Sequence, residues 1–259
     1  MIRLKLGKKI IAYFIVGIIV VVFCFVFVKL FDFKKKDPVK ITVSTVTEQE
    51  AAKLYSYLNI MNDYNAITLY SGDYITKSNT SYNTLGNMVY NYILDADVFS
   101  LEILTENDLT AAGLKGKPLY KISIDTFKKD AQMILGDNSN FNPSTLEIGY
   151  NIRMYETGLY YYFYEIDNEN PNTSVYYKLY DSFTVTDSNT TIKIYDYFLK
   201  CDKNTTLCYD TEKTTESSNN YVRYLDNLNI AEHKDRLKKF EHIFKYEDGH
   251  YHWVSSQGI

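Results

Sequence analysis

The side chains able to do chemistry gather in the second half of this chain, and the histidines come first. All four, His233, His242, His250 and His252, fall in the last 27 residues. Imidazoles two positions apart on a strand share one face, so a transition-metal site is the chemistry to test. Register argues against it. Asp248-Gly249 is a strong two-residue hairpin signal. As a loop it sets Glu247 opposite His250 and Lys245 opposite His252, and sends His242 to the other side with Phe244, Tyr246, Tyr251 and Trp253. The aromatic side then faces the core, and His250 and His252 stand on a polar face beside a lysine. No metal and no cofactor are expected.

The thiols and tyrosines give two further candidates. Cys201 and Cys208 flank a short polar stretch, and a two-residue turn at Asn204-Thr205 brings them opposite each other as a cross-strand disulfide pair. Cys24 lies in an apolar run and reads as a lipid-facing residue. Tyr160, Tyr162 and Tyr164 alternate with Tyr161 and Phe163, and Tyr176, Tyr177 and Tyr180 follow on the next strand. With a period of two, one set fills the interface with the helices and the other is left outside. Tyr160, Tyr162 and Tyr164 are the binding candidates, because a tyrosine presents an apolar ring with a hydroxyl, suited to a glycan or a protein partner.

Catalytic signatures are missing. The sequence holds no G-x-S-x-G, H-E-x-x-H, G-x-x-x-x-G-K-[ST] or C-x-x-C. Asp137 to Asn142 begins like a calcium loop, but its sixth position is Asn142 rather than Gly and its twelfth is Ile148 rather than Glu. No catalytic residue is assigned, and the chain reads as a non-enzyme.

The elements that must position these residues divide along the chain. Thr47 with Glu50 opens a capping box ahead of an amphipathic helix near 48–62. Leu85, Met88, Val89, Tyr92 and Ile93 form a second helical stripe, Thr105 with Asp108 starts a short third helix stopped by Gly113, and Ser123 caps a fourth that ends at Gly136, the residue for a left-handed cap. From Leu146 the period changes to two. Strands are expected at Leu146 to Met154, Gly158 to Ile166, Ser174 to Thr186 and Thr190 to Cys201, then a short helix about Ile230 to Lys238 and the closing hairpin, Phe240 to Tyr246 with His250 to Ser255. The fold class is α+β, with a mainly helical part over 47–140 and a mainly antiparallel β part over 141–259.

Ahead of this domain, Ile10 to Val28 carries no charged residue and is bracketed by Lys8, Lys9 and Lys29. At about 1.5 Å per residue it covers about 28 Å, close to the hydrocarbon core of a bilayer. It reads as one transmembrane helix over 10–28, a signal-anchor without a small-residue cleavage site, between a cytoplasmic tail over 1–9 and a stalk over 29–46. The short tail stays inside and the long domain crosses. Beyond residue 36 the chain has 20 Lys+Arg against 31 Asp+Glu, a net of −11, which disfavours nucleic acid and other polyanions as partners.

The order Leu69-Tyr70-Ser71-Gly72-Asp73, then Ile122-Ser123 to Leu135-Gly136-Asp137, then Phe244-Lys245-Tyr246 through Gly249-His250-Tyr251-His252-Trp253 resembles uncharacterised single-pass envelope proteins of low-GC Gram-positive bacteria. The resemblance covers most of the domain and implies a bacterial surface location. It brings no activity and no catalytic residue. The reading as a whole is a membrane-anchored extracytoplasmic domain that binds or scaffolds at the cell envelope. The alternatives are a sensor ectodomain working through a membrane partner, and an envelope hydrolase with an unrecognised site.

Overall fold

Helix starts in this chain are set by hydroxyl caps. In α1 (Glu48–Tyr57) the Thr47 hydroxyl accepts the Glu50 N–H at 3.2 Å, and the Glu50 carboxylate accepts the Thr47 N–H at 2.8 Å. This is the capping box expected, satisfying donors that the first turn leaves free. Ser81 accepts the Thr84 N–H at 3.1 Å ahead of α2 (Tyr82–Ala96). Thr105 and Asp108 form a second box on α3 (Glu106–Ala111), and Ser123 accepts the Thr126 N–H at 3.2 Å to open α4 (Ile124–Leu135).

The C-terminal ends are finished from elsewhere in the chain. Neither α1 nor α4 has a basic residue in its last turn. Instead Lys178 donates to the Leu58 carbonyl at 3.0 Å, and Lys77 donates to the Leu135 carbonyl. A cation there meets both an unused acceptor and the negative end of the helix dipole. α1 stops at Tyr57, short of the expected span to 62. Gly136 has the positive φ of 84° that favours glycine, but its ψ of 156° takes it out of the left-handed cap region.

The computed structural model of this protein describes residues 46–59, 68–96, 98–136, 141–167, 174–187, 189–202, 207–209, 222–223, 234 and 237–259. The apolar run over 10–28, Cys24, the stalk as far as residue 45, His233, the turn at Asn204-Thr205, Asp137 to Asn140 of the calcium-like stretch and most of the helix expected about 230–238 lie outside the described residues. Among the described residues no helix is long and apolar enough to cross a membrane.

The strands form two antiparallel sheets where a single sheet was expected. The larger runs β1 (Ile75–Thr76), β12 (His250–Gly258), β11 (Lys239–Glu247), β8 (Thr191–Asp202), β9 (Leu207–Tyr209), β10 (Val222–Arg223), with β7 (Ser174–Thr186) paired to β8. The smaller runs β2 (Glu102–Ile103), β3 (Lys117–Ser123), β6 (Tyr160–Glu165), β5 (Ile152–Thr157), β4 (Thr145–Ile148). β3 has no counterpart in the sequence reading. It carries a proline near its start and ends on a helix cap, yet pairs with β6 and draws the first half of the chain into the second sheet. The expected strand from Leu146 to Met154 is two strands, because Gly149 turns the backbone at φ 60°.

α1, α2 and α4 lie between the sheets, while α3 packs on β3. α4 packs on β12 of the larger sheet and on β3 and β6 of the smaller, α2 on α4 and β4, and α1 on α2 and β8. One core cluster therefore runs through all three layers, and Phe127, Ile134, Tyr161, Phe163, Ile194, Phe198, Phe240, Phe244 and Trp253 are each buried in it. Burying a side chain of this size stabilises by roughly 1.5–3 kcal/mol, so this shared layer is the main source of cohesion. The fold class is α+β, with the described helices all in the first half of the domain and most strands in the second.

Candidate functional site

Two places concentrate polar groups. The first is inside. β8 alternates, and Ile192, Ile194, Asp196 and Phe198 point to the core, all at most 1% exposed. A carboxylate at that depth must be satisfied by many donors. The Tyr55 and Tyr70 hydroxyls donate to Asp196 Oδ2 at 2.8 and 2.7 Å, and His242 Nε2 lies 3.0 Å from Oδ1. On the far side of the imidazole, Nδ1 is 2.6 Å from Ser256 Oγ, which accepts the Trp253 indole N–H at 3.1 Å. In the neutral ring the Nε2 proton faces Asp196 and Nδ1 takes the Ser256 hydroxyl proton.

Lys178 closes the set. It is a half-buried residue whose ammonium is nonetheless packed inside, 4.2 Å from the centroid of the Tyr55 ring. Burial pushes its pKa down to about 8, against the pull of the Asp196 charge. For Asp196 burial alone would raise the pKa, but His242, Lys178 and the Tyr70 hydroxyl outweigh it and hold the carboxyl below its ordinary value. Tyr70 stacks on Phe198 at 4.1 Å and Tyr180 leans on Tyr55 at 5.4 Å, so the network is walled by rings.

Ser256, His242 and Asp196 have the order of a hydrolytic relay, and the environment denies them that use. All three are 0% exposed, and the serine oxygen is already occupied by Trp253 and His242. A nucleophile needs a substrate carbonyl within about 3.5 Å. This arrangement does structural work instead, tying α1, β7, β8, β11 and β12 to one charge centre.

The second place is the outer face of the smaller sheet. Tyr161 and Phe163 point inward and are 0% exposed, so Tyr160, Tyr162 and Tyr164 point out and are half-buried. Across β5, Tyr155 stands directly beside Tyr162 and Arg153 beside Tyr164; across β3, Lys121 flanks Tyr162. Each of the two cations has a carboxylate at the outer limit of ion-pair distance. Lys121 Nζ is 3.8 Å from Asp108 and 4.0 Å from Glu102, and Arg153 Nη2 is 3.9 Å from Glu147. The three binding candidates are thus brought together on one solvent-facing surface, with Tyr155 as a fourth member that the sequence reading did not group with them.

No family model, no curated protein and no solved structure matches this chain.

The remaining candidates are placed as follows. The hairpin register is the one expected, with Lys245 opposite His252, Tyr246 opposite Tyr251 and Glu247 opposite His250. His242 is on the core side with Phe244 and Trp253, again as expected. His252 corrects the reading of a solvated polar face. It is 5% exposed, because the end of α4 closes over β12 there: a Cβ on Gly136 would sit 3.3 Å from the His252 ring. Among the described residues no cluster of His, Cys, Asp and Glu could hold a metal ion. Cys201 pairs with Cys208 in the β8–β9 register. Tyr176 and Tyr180 fill the interface of β7 with its neighbours, stacking on Phe198 at 5.5 Å and contacting Tyr55. Sequence reasoning missed the whole Asp196 network. The one available signal was an acid at the inward parity of β8, between Ile194 and Phe198.

Proposed function

We propose that this protein is a binding module of the bacterial cell envelope, held to the membrane by a helix over residues 10–28 with the domain outside, and that the tyrosine face of the smaller sheet is its contact surface. The observation that carries the reading is the contrast between the two sides of β6. On the inner side the rings are packed: Tyr161 meets Phe127 at 4.5 Å and Phe163 meets Tyr90 at 5.3 Å. On the outer side, among the described residues, the rings of Tyr155, Tyr160, Tyr162 and Tyr164 lie within stacking reach of no other aromatic ring. Four tyrosines on a partly exposed sheet face supply area and hydroxyls at low entropic cost, as binding surfaces require.

The experiment is co-sedimentation of the detergent-solubilised full chain with isolated envelopes of the organism that makes it. Wild type should pellet with the envelope. The combination of Tyr160→Ser, Tyr162→Ser and Tyr164→Ser should stay in the supernatant while keeping its circular dichroism spectrum, and equal pelleting of the two would remove the face from the account.

Placement outside the cytoplasm carries its own readout. Backbone register sets Cys201 and Cys208 opposite each other, as a cross-strand disulfide needs. In an oxidising compartment the pair should close, contributing on the order of 2 kcal/mol for so small a loop. Intact mass of protein alkylated directly in cells should show neither cysteine modified before reduction. Two alkylated thiols would place the domain in a reducing compartment or the strands in another register.

A further inference from the structure

Resting on the binding reading above, we infer that the tyrosine face takes a neutral glycan strand, held by ring stacking and hydroxyl hydrogen bonds rather than by charge. Three observations converge on that chemistry. The first is geometry: Tyr160, Tyr162 and Tyr164 succeed one another along β6 at about 6.6 Å intervals, a row of about 13 Å, and Tyr155 widens it by one strand spacing beside Tyr162. That is a platform for several consecutive sugar rings rather than for one. The second is what the platform leaves available. The rings have no aromatic partner among the described residues, and Tyr155 is 37% exposed. Each tyrosine offers ring surface for the C–H side of a sugar and a hydroxyl for its oxygens, with Lys121 over the Tyr160 ring and Gly116 beside the Tyr164 ring.

The third observation is charge balance. The cations flanking the row, Lys121 and Arg153, are each matched by carboxylates, Glu102 and Asp108 for one and Glu147 for the other. An anionic polymer would compete with those carboxylates and enter the field of a domain with a net charge of −11. A cationic partner would compete with Lys121 and Arg153 for the same three carboxylates. A neutral partner disturbs neither. Lys121 also stands 5.4 Å from the Tyr160 ring centroid, orienting that ring without adding an open charge.

The test titrates the full chain in detergent micelles with two neutral probes, an N-acetylglucosamine oligomer and a glucose β-oligomer, and with polyglycerol phosphate as the anionic comparison. At least one neutral oligomer should bind, more tightly as it lengthens, with an affinity that changes less than twofold between low and high salt. Tyr155→Ser combined with Tyr162→Ser should weaken it at least tenfold. Tyr82→Ser, on a tyrosine of α2 that is more exposed than Tyr155 (61% against 37%), should leave it unchanged. The inference is overturned if neither neutral oligomer binds, if only the anionic polymer binds, or if binding survives loss of Tyr155 and Tyr162. Envelope co-sedimentation that depends on the tyrosines without any oligomer binding would overturn the glycan while leaving the binding module standing, and would point to a protein partner.

Discussion

Asp196→Ala should lower the stability of the fold by about 3–5 kcal/mol, enough to unfold a typical domain of this size at modest temperature. The substitution removes the only carboxylate among the described residues that faces His242 and Lys178 from the core, and leaves the Tyr55 and Tyr70 hydroxyls without their acceptor. Unpaired buried charge is the source of the loss, since the volume deleted is small. Asp196→Asn keeps the shape and one acceptor oxygen, so it should fall between wild type and alanine. Urea denaturation of the three proteins, followed by circular dichroism, gives the ranking. A loss below about 1 kcal/mol for alanine would mean that water reaches the site and the network is not closed.

Stability should rise from pH 8 to about 10 and then collapse. Lys178 is the first cause. Its folded pKa of about 8 lies below the 10.5 of the free side chain, so across that window the unfolded chain holds the extra proton and stability climbs with pH, by about 3 kcal/mol in all. The tyrosines are the second. Burial raises Tyr55, Tyr57 and Tyr70 well above 10, helped by Asp196 for Tyr55 and Tyr70 and by Asp95 for Tyr57, and raises Tyr90 and Tyr161 to about 12. A folded pKa above the unfolded one gives stability that is present below pH 10 and lost as pH rises through the folded value. Five such groups each remove about 1.4 kcal/mol per pH unit once the unfolded chain ionises. Urea midpoints from pH 7 to 11 should therefore trace a peak near pH 10, and Lys178→Met should flatten its acid side. A profile level from pH 8 to 10 in the wild type would show that the lysine ammonium is solvated.

What could be read from sequence was whatever local geometry decides. The type I′ signal Asp248-Gly249 has positive φ at both residues, 52° and 96°, and it set the hairpin register as far as Phe244. A register shift between Ile243 and Phe244 then brings His242 opposite Ser256, and no periodic pattern announces a bulge. The alternation of Tyr160 to Tyr164 was legible for the same reason as the hairpin, since parity on one strand needs no knowledge of its neighbours. Asp196 was not. Its partners Tyr55 and Tyr70 arrive from the first helical region, and nothing near residue 196 specifies that hydroxyls from so far away will meet it. The second sheet was hidden in the same way: β3 carries a proline and two lysines, and its pairing with β6 outweighs a weak local propensity.

The position of β12 sets a timetable. It lies between β1 and β11, and it brings Trp253 and Ser256 to the core. β1 at Ile75 thus waits for Ser256, its partner across the sheet. At about 5–20 residues per second, that interval lasts on the order of ten seconds or more on the ribosome. Through all of it the apolar sides of α1, α2 and α4 have no completed surface to rest on. A nascent chain in this state is a client for holding factors and a target for proteases. Loss of the residues from His250 onward should then be read by the cell as loss of the whole domain.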